Sequence, residues 1–164
     1  MNEMKIEDLK FNPFTLLGKE WCLIGAKKDD KFNAMTASWG GIGVLWNKNV
    51  VTIYVRPQRY TREFIEAQDY FTLSFFDASY KKALGIYGSK SGRDINKEEE
   101  TGLHRQDDGN YAYLKEAKFV LECKKLYCAK MDPSEFIDKD IEGNYPEKDY
   151  HYVYIGEITK VLEE

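Results

Sequence analysis

Apolar residues in this chain recur mostly at every second position, in short runs broken by Gly, Pro, Asp and Asn, a rhythm of strands more than of helices. Residues 21–27 (WCLIGAK) predict a strand, Lys28, Asp29, Asp30 and Lys31 a polar turn, and residues 32–39 a returning strand, together a hairpin. Gly40, Gly41 and Gly43 loosen the backbone before Val44, Leu45 and Trp46, and Asn47, Lys48 and Asn49 read as a second turn. Residues 50–55 (VVTIYV) are the clearest strand, rich in β-branched side chains. Pro57 cannot join a central ladder, so that strand should stop near Arg56. Residues 61–68 (TREFIEAQ) predict a short helix with Thr61 as N-cap and Phe64 and Ile65 turned to the core.

Residues 70–76 predict a strand, 79–87 a helix, 88–94 a loop and 96–100 a helical turn; the next dozen polar residues read as a surface loop. Residues 117–131 alternate well enough for one long strand or a bent pair. Residues 132–148, with Pro133, Gly143 and Pro146, look irregular, and 150–161 form a final strand. The inventory is roughly six strands and two short helices without βαβ alternation, which argues against a doubly wound sheet. A mainly β fold is expected, a small antiparallel barrel with peripheral helices.

At 164 residues, a single domain spanning 1–164 is the default. With 43% hydrophobic and 32% charged residues the chain should fold. A net charge of -4 argues against general nucleic-acid binding but leaves room for a local cationic pocket. No run is apolar and long enough to span a membrane, and the first ten residues lack the basic start and apolar core of a secretory signal, so the cytoplasm is the expected compartment. The odd number of cysteines, Cys22, Cys123 and Cys128, fits it; they read as small buried hydrophobes, with Cys123 and Cys128 on opposite sides of one strand. His104 and His151 are too few and too scattered for a metal site.

The chemistry gathers in four places. Asn33, Ala34, Met35, Thr36, Ala37, Ser38 and Trp39 offer hydroxyls, bare backbone and flat apolar surface, which suit the polar edge and face of a planar heteroaromatic ring; an ordinary strand end is the alternative. Arg56, Arg59, Tyr60 and Thr61 place two guanidinium forks and a hydroxyl where a strand gives way to a helix, the setting for a phosphate; a solvated turn is the alternative. A ring at one end and a phosphate at the other is the outline of flavin mononucleotide (FMN). Ser89, Lys90, Ser91 and Arg93, around Gly92, could close over a phosphate or form a mobile loop; the P-loop spacing is absent. His151 opens the last strand and reads either as a contact to a bound ring system or as a structural residue bonded to a neighbour such as Asp149. Lys97 to Glu100 read as a solvated helical face.

In this order, the segments 33–39, 55–61 and 88–94, and His151 followed by 154–158, resemble the flavin reductase-like proteins of the FMN-binding split barrel, flavoredoxin-type members above all, over the chain after about Phe11. The resemblance implies a six-stranded antiparallel Greek-key split barrel, bound FMN, and a homodimer with the flavins near the subunit interface. It also implies redox chemistry, often with NADH or NADPH as donor and a flavin, another small molecule or a protein as electron acceptor. Asn33, Met35 to Trp39, Arg56, Arg59, Tyr60, Thr61, Ser89, Lys90, Ser91 and Arg93 would hold the cofactor, and His151 would contact nicotinamide or acceptor. An electron carrier without its own nicotinamide site is the alternative. No GxGxxG follows a strand, so the residues themselves carry no evidence of nicotinamide use.

Overall fold

β2 (Cys22–Lys28) and β3 (Lys31–Ala37) form the expected hairpin, with Cys22 opposite Ala37 and Lys28 opposite Lys31. β4 (Gly40–Leu45) and β5 (Lys48–Val55) form a second. These belong to a computed structural model describing residues 1–164, a mainly β molecule whose ladders are all antiparallel. β6 (Tyr70–Phe75), β9 (Phe119–Lys130) and β10 (Tyr152–Glu163) complete the six expected strands together with β2, β3 and β5. The sheet runs β3-β2-β6-β9-β10-β5-β4, with β1 (Asn2–Met4) beside β10.

β3 and β4 sit at opposite ends of that order, yet only Ser38 and Trp39 separate them. Three Cα steps reach about 11 Å at most. The sheet must therefore curl until its edges nearly meet. No ladder joins β3 to β4, so the barrel stays split at this seam.

Several expectations are corrected. The glycine-rich stretch after Trp39 is a strand, β4, because Gly40, Gly41 and Gly43 find partners in Ile53, Thr52 and Val50. Its turn is tighter than expected: Trp46 and Asn47 both take positive φ, the two-residue turn that matches strand twist, and β5 starts at Lys48. The supposed surface loop after Glu100 holds the hairpin β7 (Arg105–Asp108) and β8 (Tyr111–Leu114), with Ala112, Tyr113 and Leu114 buried. Cys123 and Cys128 pair with Ile158 and Tyr154, an even spacing on β10, because a bulge at Leu126 absorbs the odd residue; they share a side of β9, and Cys128 is exposed.

The helices are α1 (Pro13–Thr15), α2 (Tyr60–Ala67), α3 (Lys81–Ser89) and α4 (Lys97–Thr101). Thr61 does not cap α2; Arg59 is the N-cap, and Thr61 is buried in the first turn. One apolar cluster, with Ile24, Val51, Ile53, Phe64, Phe71, Phe75, Leu121 and Tyr154, fills the barrel. A second, with Leu23, Ala34, Leu84, Tyr87, Tyr113 and Val120, seals α3 and the β7–β8 hairpin against its outside. β2 thus buries both faces, Leu23 to one cluster and Ile24 to the other, which is why WCLIGA is apolar almost throughout.

Candidate functional site

Three hollows lie in a row along the seam and the β5–α2 junction. The first is a cleft of about 140 Å³ lined by Asn33, Gln58, Arg59, Tyr60, Thr61, residues 88–91 and Lys97. The second, about 200 Å³, is lined by Met35 to Trp39, Tyr54, Arg56, Arg59 and His151. Arg59 belongs to both. The third, about 540 Å³ and largely apolar, shares Ser38, Trp39, Tyr54 and His151 with the second and adds Phe14, Leu17, Ile42, Met131 and Tyr145.

The cleft is built for negative charge. Arg59 donates from Nη1 to the Gly88 carbonyl (2.9 Å) and from Nη2 to that of Tyr87 (3.3 Å), at the end of α3. Burial holds its pKa below the usual arginine value. Lys97, which reads in sequence as solvated, is 6% exposed. Its Nζ donates to the carbonyls of Ala34 (2.9 Å) and Tyr87 (3.0 Å), and burial, then the nearby Arg59 charge, push its pKa down to about 8. Asn33 Nδ2 donates to Thr61 Oγ1 (2.8 Å), which leaves the threonine proton free for an acceptor in the cleft. Gly92 presses on Asn33 so closely that a Cβ there would lie 2.2 Å from Oδ1, so no other residue fits without moving that side chain.

The structure divides the expected phosphate residues. Arg59, Tyr60, Thr61, Ser89, Lys90 and Ser91 line the cleft. Arg56 does not, although a turn bonded from Arg59 N to Arg56 O (3.1 Å) joins the two and both border the second hollow. Arg56 pairs with Asp149 (2.7 Å), donates to the Asn144 carbonyl (2.9 Å) and covers the Tyr145 ring, at the border of the second hollow. Arg93 pairs with Glu63 over the Tyr60 ring and lines an adjoining groove that shares Asn33, Tyr60 and Lys97 with the cleft. Lys90 also reaches Glu100 (3.2 Å), and Ser89 Oγ donates to the Gly85 carbonyl (2.8 Å).

In the second hollow the close of β3 presents Met35, Thr36 and Ala37, and the seam adds Ser38 and a half-exposed Trp39. The Thr36 hydroxyl is spent on the Leu84 carbonyl of α3, so Ser38 is the hydroxyl that borders both the second and third hollows. His151 is buried beside Trp39 and Tyr145, each ring 5.4 Å away, with Tyr54 at 6.3 Å. Its Nδ1 bonds Tyr145 Oη (2.7 Å), not Asp149, whose carboxylate is held by Arg56 and Gln58. Burial, then Arg56, pull its pKa down to about 4 against the opposing pull of Asp149, so the imidazole is neutral at pH 7.

Sequence reasoning missed Lys97 and Tyr145. One signal for Lys97 was present: it follows the N-cap Asn96, at a helix start where acids are favoured and a cation is not. A residue placed against the dipole has a reason elsewhere.

The sequence model of the flavin reductase-like domain family matches residues 16–164. No curated protein matches. Solved structures with the same fold include flavoredoxin from Methanosarcina acetivorans, 22% identical over 100% of this chain and 76% of that one, TM-score 0.71. An FMN-binding protein from Thermus thermophilus, solved with bound p-hydroxybenzaldehyde, is 18% identical over 100% and 82%, TM-score 0.70. The Streptomyces globisporus NADH:FAD oxidoreductase SgcE6 is 14% identical over 88% and 75%, TM-score 0.66.

Proposed function

This chain belongs to the flavin reductase-like domain family, and from that premise we propose that it is an FMN-binding oxidoreductase carrying electrons from NADH or NADPH to a flavin or another small acceptor. The carrying observation is the row of hollows: a cationic cleft joined through Arg59 to a cavity of small strand residues, which shares four residues with a larger apolar chamber. The sizes and chemistry fit phosphate, planar ring and second reactant in that order. FMN, when bound, supplies the hydride and electron chemistry.

The protein's part is binding and placement. Arg59 and Thr61, with Ser89, Lys90 and Ser91 at the rim, hold the phosphate; Arg56 borders the ring cavity instead. Backbone groups of residues 35–39 and the Ser38 hydroxyl meet the polar edge of the ring. His151 stands between ring cavity and chamber as a neutral group that positions nicotinamide or acceptor, not as a proton donor at pH 7. The chamber offers a largely apolar wall to the meeting face of the two reactants. We place the protein in the cytoplasm, as a homodimer.

The second reading, an electron carrier without its own nicotinamide site, draws on Trp39, half exposed at the seam where a protein acceptor could approach. Stopped-flow mixing of FMN-loaded protein with NADH and with NADPH separates the readings. The enzyme reading expects saturable bleaching of the flavin band with at least one donor, slowed in His151→Ala without loss of FMN affinity. Bleaching no faster than that of free FMN would support the carrier.

A further inference from the structure

Tyr145 makes the only side-chain hydrogen bond to the His151 ring, and several contacts hold it in place. It is buried in the irregular stretch before β10, with its N–H on the Glu142 carbonyl (2.9 Å) and its carbonyl accepting from Lys148 N (2.9 Å). Phe136 stacks on its ring at 6.0 Å, Tyr150 lies at 5.1 Å, and the Arg56 guanidinium covers it at 4.9 Å. Its hydroxyl has two acceptors within reach, His151 Nδ1 at 2.7 Å and Met131 Sδ at 3.5 Å, and one proton to give. A thioether accepts weakly, whereas the bare nitrogen of a neutral imidazole accepts well. The 2.7 Å separation is also ordinary for an O–H donor and short for an N–H donor. The phenol proton therefore points to Nδ1. With Nδ1 accepting, the neutral ring carries its own proton on Nε2. That N–H has no acceptor within the protein, and it is not sealed off from the hollows that His151 lines.

The chamber has no Asp, Glu, Lys or Arg in its lining; its polar side chains are Ser38, Tyr54, Tyr145 and His151. Arg56 and Arg59 border the second hollow, not this one, and Arg56 is already held by Asp149 and the Asn144 carbonyl. A carboxylate or phosphate in the chamber would lose water and gain no countercharge. The rings of Trp39 and Tyr54, where the chamber meets the ring cavity, favour a flat body. We propose that Tyr145 is a positioning residue that locks His151 in the tautomer with its proton on Nε2, so that the ring presents a fixed hydrogen-bond donor to the carbonyl oxygen of an uncharged, planar compound in the chamber. The inference rests on reading the chamber as the place of the second reactant, and goes further by naming the residue that sets the donor and the charge class the chamber admits. The imidazole keeps its proton: it orients the carbonyl and does not protonate it. The other tautomer would turn a lone pair toward the same oxygen and repel it, so the Tyr145 hydroxyl decides between recognition and rejection.

The first test is nitrogen-15 NMR of the histidine rings at pH 7, in the protein as purified. The chain has only His104 and His151, so the signals that vanish in His104→Gln assign the rest. The lock expects His151 with Nε2 protonated and Nδ1 bare. Tyr145→Phe, which keeps the ring and removes only the hydroxyl, should shift it to the other tautomer or to an average of the two. A wild-type ring protonated on Nδ1, or already averaged, overturns the proposal. The second test titrates FMN-loaded protein with acetophenone, benzoate and ethylbenzene: a neutral carbonyl, an anion and a bare hydrocarbon of similar size. Acetophenone should bind wild type about tenfold tighter than either of the others. Tyr145→Phe should lose most of the margin over ethylbenzene, while ethylbenzene itself binds as before. Equal weakening of acetophenone and ethylbenzene makes Tyr145 merely structural and overturns the proposal, as does an unchanged margin, or benzoate binding as well as acetophenone. Should Tyr145→Phe fail to fold, the wild-type tautomer and the acetophenone-to-benzoate ratio still decide. A protein that takes up no FMN sinks the proposed function instead, a distinct result, and the tautomer then decides alone.

Discussion

At the scale of single residues, His151 shows how the fold rewrites a side chain's chemistry. A histidine in a strand suggests a proton carrier near neutrality. Enclosed by Trp39, Tyr54 and Tyr145 and facing the Arg56 charge, it is instead held neutral, with a pKa of about 4. The unfolded ring takes a proton near 6.5, so stability should fall as pH drops through the window from 6.5 to about 4 and level off below it. The ring-proton resonances of His151 should therefore hold still between pH 8 and 5; a midpoint between 6 and 7 would contradict the enclosure. Ser38, just past β3, and Arg59 and Thr61, at the start of α2, stood out in the sequence as candidates because polar side chains at such junctions have few structural tasks. Lys97 and Tyr145 were not. Their partners, the Tyr87 carbonyl and the His151 ring, are set by tertiary placement, and the acidic neighbours of Lys97 disguised it as solvated surface.

Among elements, the β7–β8 hairpin is the one whose absence from the sequence reading matters most. Asp108-Gly109, with Gly109 at φ 57, is a hairpin signal, but the charged run around it looked like loop. Beneath the hairpin Glu122 is fully buried with neither carboxylate oxygen hydrogen-bonded, while Lys160 lies 3.4 Å away and prefers Asp108 at 2.7 Å. Burial raises its pKa to about 7, Lys160 opposing and Asp108 adding to the rise. The folded state thus keeps this proton longer than the unfolded chain does, so the stability it brings is full below about 4.5 and is lost as pH climbs through 7. Glu122→Gln removes the charge without the volume. Denaturant unfolding should show little change at pH 5 and a gain on the order of 1–3 kcal/mol at pH 8.5. An equal loss at both pH values would mean the carboxylate is better paired than its geometry shows. The strands with clean alternation, β5 and β10, were read correctly because each buries one face against a fixed neighbour, whereas β1 and β4 depend on edges that only the closed sheet supplies.

For the whole molecule, the strand order and the two-residue link between β3 and β4 force a barrel split at Ser38 and Trp39, and the hollows follow that seam. The closure was inferable from a family resemblance, not from periodicity, since alternation fixes which face of a strand is buried but not which strands pair. The same closure leaves Val44, Leu45 and Trp46 exposed at the tip of β4, with Trp46 6.5 Å from the exposed Tyr127 ring. Such a patch costs solubility unless it is covered. A second copy of the chain is the cover we propose, so light scattering at micromolar concentration should give twice the 19.2 kDa chain mass; a monomer would leave the patch without a role. The central claim, that the row of hollows is a flavin mononucleotide site, meets its most direct test in the visible absorption spectrum of the purified protein, with release and identification of any chromophore and with titration of FMN into apoprotein. The account predicts flavin bands, FMN as the released species and saturable one-to-one binding per chain. A colourless protein whose apo form leaves the absorption and fluorescence of added FMN unchanged would contradict it.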